Sequence, residues 1–182
     1  ISISATPLHL EWQGKKINLI DTPGYSDFIG EVISSLSVAD MTLLVLSATQ
    51  GLEVGSEQTW QLASERNLPK LIVINALDKE HTKFDNIVAD AREVLSKRVI
   101  PLQIPLNAGP GFNQIADVIR CKVYTYKNDG SGSYDETEPD ANLKEKLAAL
   151  HGELVEGVAE SNDALLEKFF ENGGLSEDEL QS

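Results

Sequence analysis

The sequence predicts an α/β fold, a doubly wound and mostly parallel sheet, followed by a separate α+β subdomain. Three observations lead there. The apolar runs Met41 to Ser47 and Lys70 to Ile74 are continuous rather than alternating, as in parallel strands covered on both faces. Between and after them lie amphipathic helical patterns, the signature of βα units. Beyond Arg98 the pattern changes to short alternating stretches and then to long helices.

Each element has its own justification. Pro7 to Gln13 alternates Leu8, Leu10 and Trp12 on one face of a strand. Gly14-Lys15 is a hairpin-type turn, and Lys16 to Asp21 is the next strand. Ser26 to Ala39 places Ile29, Val32, Ile33 and Leu36 at helical spacing. Ser56 to Arg66 reads as a helix capped by Ser56 and ended by Asn67 and Leu68-Pro69. Asp85 to Arg98 is a helix with Ile87, Val88, Ala91, Val94 and Leu95 on one stripe.

In the second part, Pro101 and Pro105 make Val99 to Asn107 an edge strand, and Gly109-Pro110-Gly111 is a loop. Gln114 to Ile119 and Arg120 to Lys127 are short strands, with a flexible turn at Asn128 to Ser133. Leu143, Leu147, Leu150, Leu154 and Val158 define a long helix. Asn162 caps a second helix that Gly173-Gly174 ends, and Ser176 to Glu179 has the form of a capping box. The domains expected are thus residues 1–98 and 99–182.

The 182 residues are 41% hydrophobic, enough for a packed core, and no apolar run is long enough to cross a bilayer. No signal peptide is visible, and a chain opening at Ile1 rather than Met reads as a fragment or excised domain. A single cysteine, Cys121, excludes an internal disulfide and is consistent with a reducing compartment; its apolar surroundings favour packing over catalysis. His9, His81 and His151 lack metal-ligand spacing.

The net charge of −14 is uneven. Residues 1–127 carry 14 acids and 12 bases, whereas residues 128–182 carry 15 acids and 3 bases. Nucleic-acid binding rests on clustered Lys and Arg, so the second part repels nucleic acid. It presents a solvated face or attracts a basic protein.

The chemistry gathers in Lys16 to Phe28, where a strand runs into Asp21-Thr22-Pro23-Gly24. An acid at a strand's carboxyl end, followed by a turn exposing N–H groups, suits phosphate-bound Mg²⁺; an ordinary strand-to-helix turn has the same composition. Open α/β sheets place ligands beyond the carboxyl ends of their strands. Asp21, Ser47 and Asn75 stand at such ends, and are expected to converge on one edge of the sheet.

With these motifs together, the whole chain resembles the GTP-binding domain of bacterial elongation factor G and its paralogues, a P-loop GTPase-type fold. Asp21 to Gly24 looks like the third GTPase motif, and Asn75-Ala76-Leu77-Asp78 like the fourth, usually Asn-Lys-x-Asp. Ile1-Ser2-Ile3 looks like the end of switch I. Ile104 to Gly173 is similar to the subdomain that elongation factor G inserts between its fourth and fifth motifs.

The resemblance implies roles by position. Asp21, through water, and Ser2, through its hydroxyl, would bind Mg²⁺. Thr22, Pro23 and Gly24 would form the turn whose Gly24 N–H senses the γ-phosphate of GTP against GDP. Asn75 and Asp78 would read guanine, with Ala76 and Leu77 completing the loop. The parent protein would be a cytoplasmic ribosomal translocation factor that hydrolyses GTP. Its acidic inserted subdomain would meet the ribosomal stalk protein, with no membrane and no direct nucleic-acid contact.

Three departures qualify this. Tyr25 replaces the family's water-positioning histidine; a phenol is a poor base at neutral pH, though it can orient water. Ala76 replaces the lysine that lies along the base, so guanine affinity is expected to fall. No G-x-x-x-x-G-K-[ST] phosphate loop occurs in this chain, so the first strand, the phosphate loop and the fifth motif would lie outside it. Residues 1 to 182 alone are then expected to bind GTP weakly, and to leave a gap between the strands at 16–21 and 41–47. The alternative functions are a GTP-dependent ribosome-binding module with little or no hydrolysis, and a structural α/β interaction domain.

Overall fold

Two adjacent residues with positive φ, Gln13 (48°) and Gly14 (73°), turn the first strand back on itself. In the computed structural model, which describes residues 2–181, strand β1 (Thr6–Trp12) pairs antiparallel with β2 (Lys15–Asp21), and Trp12 stands opposite Lys15. The turn is therefore Gln13-Gly14, one residue earlier than the sequence suggests. Its primed geometry matches the twist of the two strands. Ile1, from the Ile-Ser-Ile stretch, lies outside the described residues.

After Asp21 the chain passes through Pro23, which is buried, and a 3₁₀ turn at Ser26–Phe28 into helix α1 (Ile29–Leu36). Strand β3 (Thr42–Ser47), helix α2 (Val54–Glu65) and strand β4 (Lys70–Asn75) form a βαβ unit. Its strands pair in parallel from Thr42↔Lys70 to Ser47↔Asn75. Val32 and Leu36 of α1 pack with Ala63 of α2. Ser56 lies inside α2 rather than at its cap, because Glu53 holds the extended cap position. The C-terminus is a Schellman arrangement: Asn67 is left-handed at φ 55°, and the Leu68 N–H donates to the Ala63 carbonyl at 3.0 Å. Leu68 also packs on the Ala63 cluster.

The fold is α/β, with a difference in coverage. The sequence implies a parallel sheet covered on both faces. In β3, Thr42, Leu44 and Leu46 are buried, but Leu43 and Val45 are 50% and 56% exposed, and Leu71 and Val73 beside them in β4 are exposed too. Strand β2 is not hydrogen-bonded to β3: the hairpin and the β3–β4 pair are separate sheets, with the gap between residues 16–21 and 41–47 that the sequence leads one to expect.

The chain divides into two compact units, residues 1–75 and 76–182. The second contains helix α3 (Phe84–Val94), a four-stranded antiparallel sheet, and three further helices. The strands, in spatial order, are β5 (Gln103–Pro105), β6 (Gln114–Asp117), β7 (Lys122–Tyr126) and β8 (Tyr134–Thr137). The Pro-flanked β5 lies at an edge, as it must. Strand β8 has no clear apolar alternation and is exposed throughout, so no sequence pattern reveals it. Cys121 is not a strand residue. It sits at φ 53° in the turn between β6 and β7, partly buried against the core.

Helix α4 (Ala141–Ala159) begins where the Asp140 carboxylate accepts from the Leu143 N–H, and buries Leu147 against Ile104, Ala116, Val118 and Val123. Helix α5 (Asp163–Asn172) is capped by Asn162 and ended by left-handed Gly173; α6 (Glu177–Gln181) follows a reciprocal Ser176–Glu179 capping box. Helix α3 ends at Val94, short of the expected Arg98. Arg92 Nε donates to the Val99 carbonyl at 2.8 Å, and its Nη2 lies 2.9 Å from both carboxylate oxygens of Glu153 in α4. Among the described residues, no helix is long and apolar enough to cross a membrane.

Candidate functional site

Antiparallel pairing decides which residues share one end of the β1–β2 hairpin. Thr6 stands opposite Asp21, so the residues before Thr6 and those after Asp21 leave the same end. Ser2, exposed, is on the first of these arms; Thr22, Pro23, Gly24 and Tyr25 are on the second. The first arm is held by the Ala5 N–H, which donates to Glu31 Oε2 of α1 at 2.7 Å.

The Asp21 side chain is exposed at the strand end. Pro23 anchors the turn by burial, while Gly24 stays exposed. A Cβ placed on Gly55, in the first turn of α2, would lie 3.1 Å from the Gly24 carbonyl oxygen. The turn therefore rests directly on the start of α2. Tyr25 is 59% exposed. The Asp21 carboxylate and the Ser2 hydroxyl are both exposed, and among the described residues no cluster of three or more His, Cys, Asp or Glu side chains could hold a metal ion.

At the ends of β3 and β4, Ser47 and Asn75 are register partners, and the Ala48 N–H donates to the Asn75 carbonyl at 2.8 Å. Ser47 Oγ lies 3.0 Å from Thr49 Oγ1, and the Ser47 carbonyl accepts from the Gly51 N–H at 2.8 Å, which folds the loop leading to α2. Ser47 and Asn75 thus meet at one sheet edge. Asp21 belongs to the other sheet, so the expected single edge of three strand ends is two edges.

Asn75 closes the first unit, and Ala76, Leu77 and Asp78 open the second. Ala76 is left-handed at φ 61°, which turns the backbone sharply out of β4. The Lys79 N–H donates to the Ala76 carbonyl at 3.2 Å, and the Leu77 carbonyl accepts from the Gly109 N–H at 2.7 Å. Asp78 is exposed, with Lys79 Nζ 3.6 Å from its carboxylate. A carboxylate so placed can accept two hydrogen bonds from a planar ligand edge.

Sequence reasoning misses the support beneath this loop. It marks Gly109 simply as part of a loop, and Asn107 as the end of a strand. The clue in the sequence is weak, since the contact spans more than thirty residues and no local pattern encodes it.

The chain is similar to known proteins. The family model of the elongation factor Tu GTP binding domain matches residues 1–173. An elongation factor G-like protein of Thermotoga maritima is 35% identical over 179 residues, 98% of this chain and 25% of that protein. A crystal structure of a Thermus thermophilus protein superposes with a TM-score of 0.84 at 30% identity, covering 98% of this chain and 26% of the other. The chain spans about a quarter of the length of these relatives.

Proposed function

The chain belongs to the elongation factor Tu GTP-binding domain family, and from that premise we propose that it is the guanine-nucleotide-binding portion of a ribosomal translocation factor of the elongation factor G type. The observation that carries the proposal is the turn Asp21 to Gly24, which leaves the end of β2 and is braced on Gly55.

Asp21, through water, and the Ser2 hydroxyl would be the residues that hold Mg²⁺. The ion, when bound, neutralises charge on the phosphates of the nucleotide. The exposed Gly24 N–H donates to the γ-phosphate, so the turn differs between GTP and GDP. Thr22 and Pro23 set the path of that turn. Asn75 orients the base-reading loop, and Asp78 accepts from the guanine N1–H and amino group. Adenine has no such pair of donors, so the carboxylate selects guanine. Ala76 and Leu77 carry Asp78 to its position.

Tyr25 borders the γ-phosphate end and orients the attacking water through its hydroxyl. Because phosphoryl transfer relies on positioning and electrostatics, a tyrosine here sustains slow hydrolysis. Residues 1–98 are the partial GTP-binding domain and residues 99–182 the acidic inserted subdomain, which meets the ribosomal stalk protein rather than nucleic acid. The protein works in the cytoplasm. Tyr25 also supports a second reading, a ribosome-binding module that uses GTP as a switch with little turnover.

Calorimetric titration of the full-length protein in the presence of Mg²⁺ tests the assignment. GDP and GTP are expected to bind, with ATP at least about a hundredfold weaker, because adenine offers the Asp78 carboxylate no matching pair of donors. Equal affinity for ATP would overturn it.

A further inference from the structure

We propose that Asn107 is a positioning residue for guanine recognition, acting through the tip of the β5–β6 hairpin. This rests on the reading of Asp78 as the base-reading carboxylate. The hairpin tip reaches the loop through one hydrogen bond, from the Gly109 N–H to the Leu77 carbonyl at 2.7 Å. Leu77 immediately precedes Asp78, so the bond fixes the peptide from which the carboxylate projects.

The tip is itself built around the Asn107 side chain. Its Oδ1 accepts from the Gln114 N–H at 2.8 Å and from the Asn113 N–H at 3.2 Å. Its Nδ2 donates to Asn113 Oδ1 at 2.9 Å and to the Gly111 carbonyl at 3.3 Å. One side-chain amide thus closes the loop at four points. Asn113 carries the restraint on to β7, where its Nδ2 donates to the Tyr126 carbonyl at 3.1 Å and its carbonyl accepts from the Tyr126 N–H at 2.8 Å.

Gly109 is the point of delivery. Its φ of 116° is a conformation that side chains rarely adopt, although a Cβ there would meet nothing within 4 Å. Backbone geometry, rather than space, requires the glycine. The line from β7 through Asn113 and Asn107 to Gly109 and Leu77 lies wholly within residues 76–182. The antiparallel sheet is therefore part of the apparatus that reads the base. Its contribution is to hold Asp78 where both donors of guanine reach it. Losing that hold weakens guanine more than hypoxanthine, which lacks the amino group.

The test uses the full-length protein carrying Asn107→Ala and, separately, Gly109→Ala, titrated with GDP and IDP well below the unfolding temperature. Each variant is expected to bind GDP about fivefold more weakly, the worth of one lost hydrogen bond, with IDP, which keeps its N1–H donor to Asp78, weakened less. The guanine-over-hypoxanthine preference then shrinks, a change that simple loss of stability does not produce. An unchanged preference in either folded variant would overturn the proposal. Asp78→Asn separates the underlying reading, because an amide there favours XDP, whose 2-carbonyl it can donate to. If that variant shows no shift from GDP toward XDP, the base-reading assignment falls, and this proposal with it. If it shifts while the other two keep their preference, only the role of Asn107 falls.

Discussion

Gly55, in the first turn of α2, leaves room for a Cβ only 3.1 Å from the carbonyl oxygen of Gly24. The two glycines are far apart in the chain, yet the path of the Asp21–Gly24 turn depends on both. Gly55→Ala improves helix propensity by about 1 kcal/mol but pushes the turn by a few tenths of an ångström. The expected result is a GTP hydrolysis rate about threefold lower, with GDP affinity retained, since misplacement of reacting groups is costly even when small. Single-turnover hydrolysis beside a GDP titration checks it. An unchanged rate would mean that the turn yields freely.

Ala76 already bears the strain of a left-handed φ of 61°. Lysine at the same place has a Cβ too, so Ala76→Lys adds its stem and charge without adding backbone strain. The expected gain is about fivefold tighter GDP binding, as the aliphatic stem covers the base. Titration of the full-length variant measures it, and unchanged affinity would show that this loop does not use the residue.

Arg92 joins three segments, with bonds to the Val99 carbonyl and to both oxygens of Glu153. Both side chains are partly exposed, so the ion pair is discounted accordingly. Arg92→Ala is expected to cost about 1.5 kcal/mol in the second unit, with Arg92→Lys in between, because an ammonium cannot span the same three acceptors. Amide exchange at Leu147 in α4 is expected to quicken about tenfold in Arg92→Ala.

The Glu179 carboxyl is held down to about 2, first by donation from Lys168 Nζ and then by the Ser176 N–H and hydroxyl. A depressed carboxylate stabilises the folded form above its unfolded pKa, and that contribution is lost as pH falls through the folded value. The start of α6 is therefore expected to be intact above about pH 4.5 and to fray between about 4.5 and 2. The Ser176 amide shift, followed by NMR, should titrate in that window. A midpoint near 4.5 would contradict the capping box.

The βα alternation, the caps at Asn162 and Ser176, and the Asp21 and Asn75 strand ends are legible because each is a local pattern within a few residues. Strand β8 is hidden, because its Tyr-Asp-Glu-Thr sequence has no buried face to impose a period of two. Ser56 misleads because an N-cap preference is only local, and the chain enters α2 two residues earlier. The brace from Gly55 to Gly24 and the bond from Gly109 to Leu77 join distant residues, so no window of sequence contains them. The exposure of Leu43 and Val45 is equally unreadable, since an apolar run states a preference for burial but not what covers it.

Tyr25 bears on the central claim, that Asp21 to Tyr25 couples GTP to work on the ribosome. The direct measurement is GTP hydrolysis by the full-length protein with and without ribosomes, for the natural sequence and for Tyr25→His. Ribosomes are expected to accelerate hydrolysis at least about a hundredfold, as when a catalytic site is completed in trans. Tyr25→His should add about another tenfold, because an imidazole titrates near neutral pH and a phenol does not. A natural protein whose hydrolysis ribosomes leave unchanged would contradict the account.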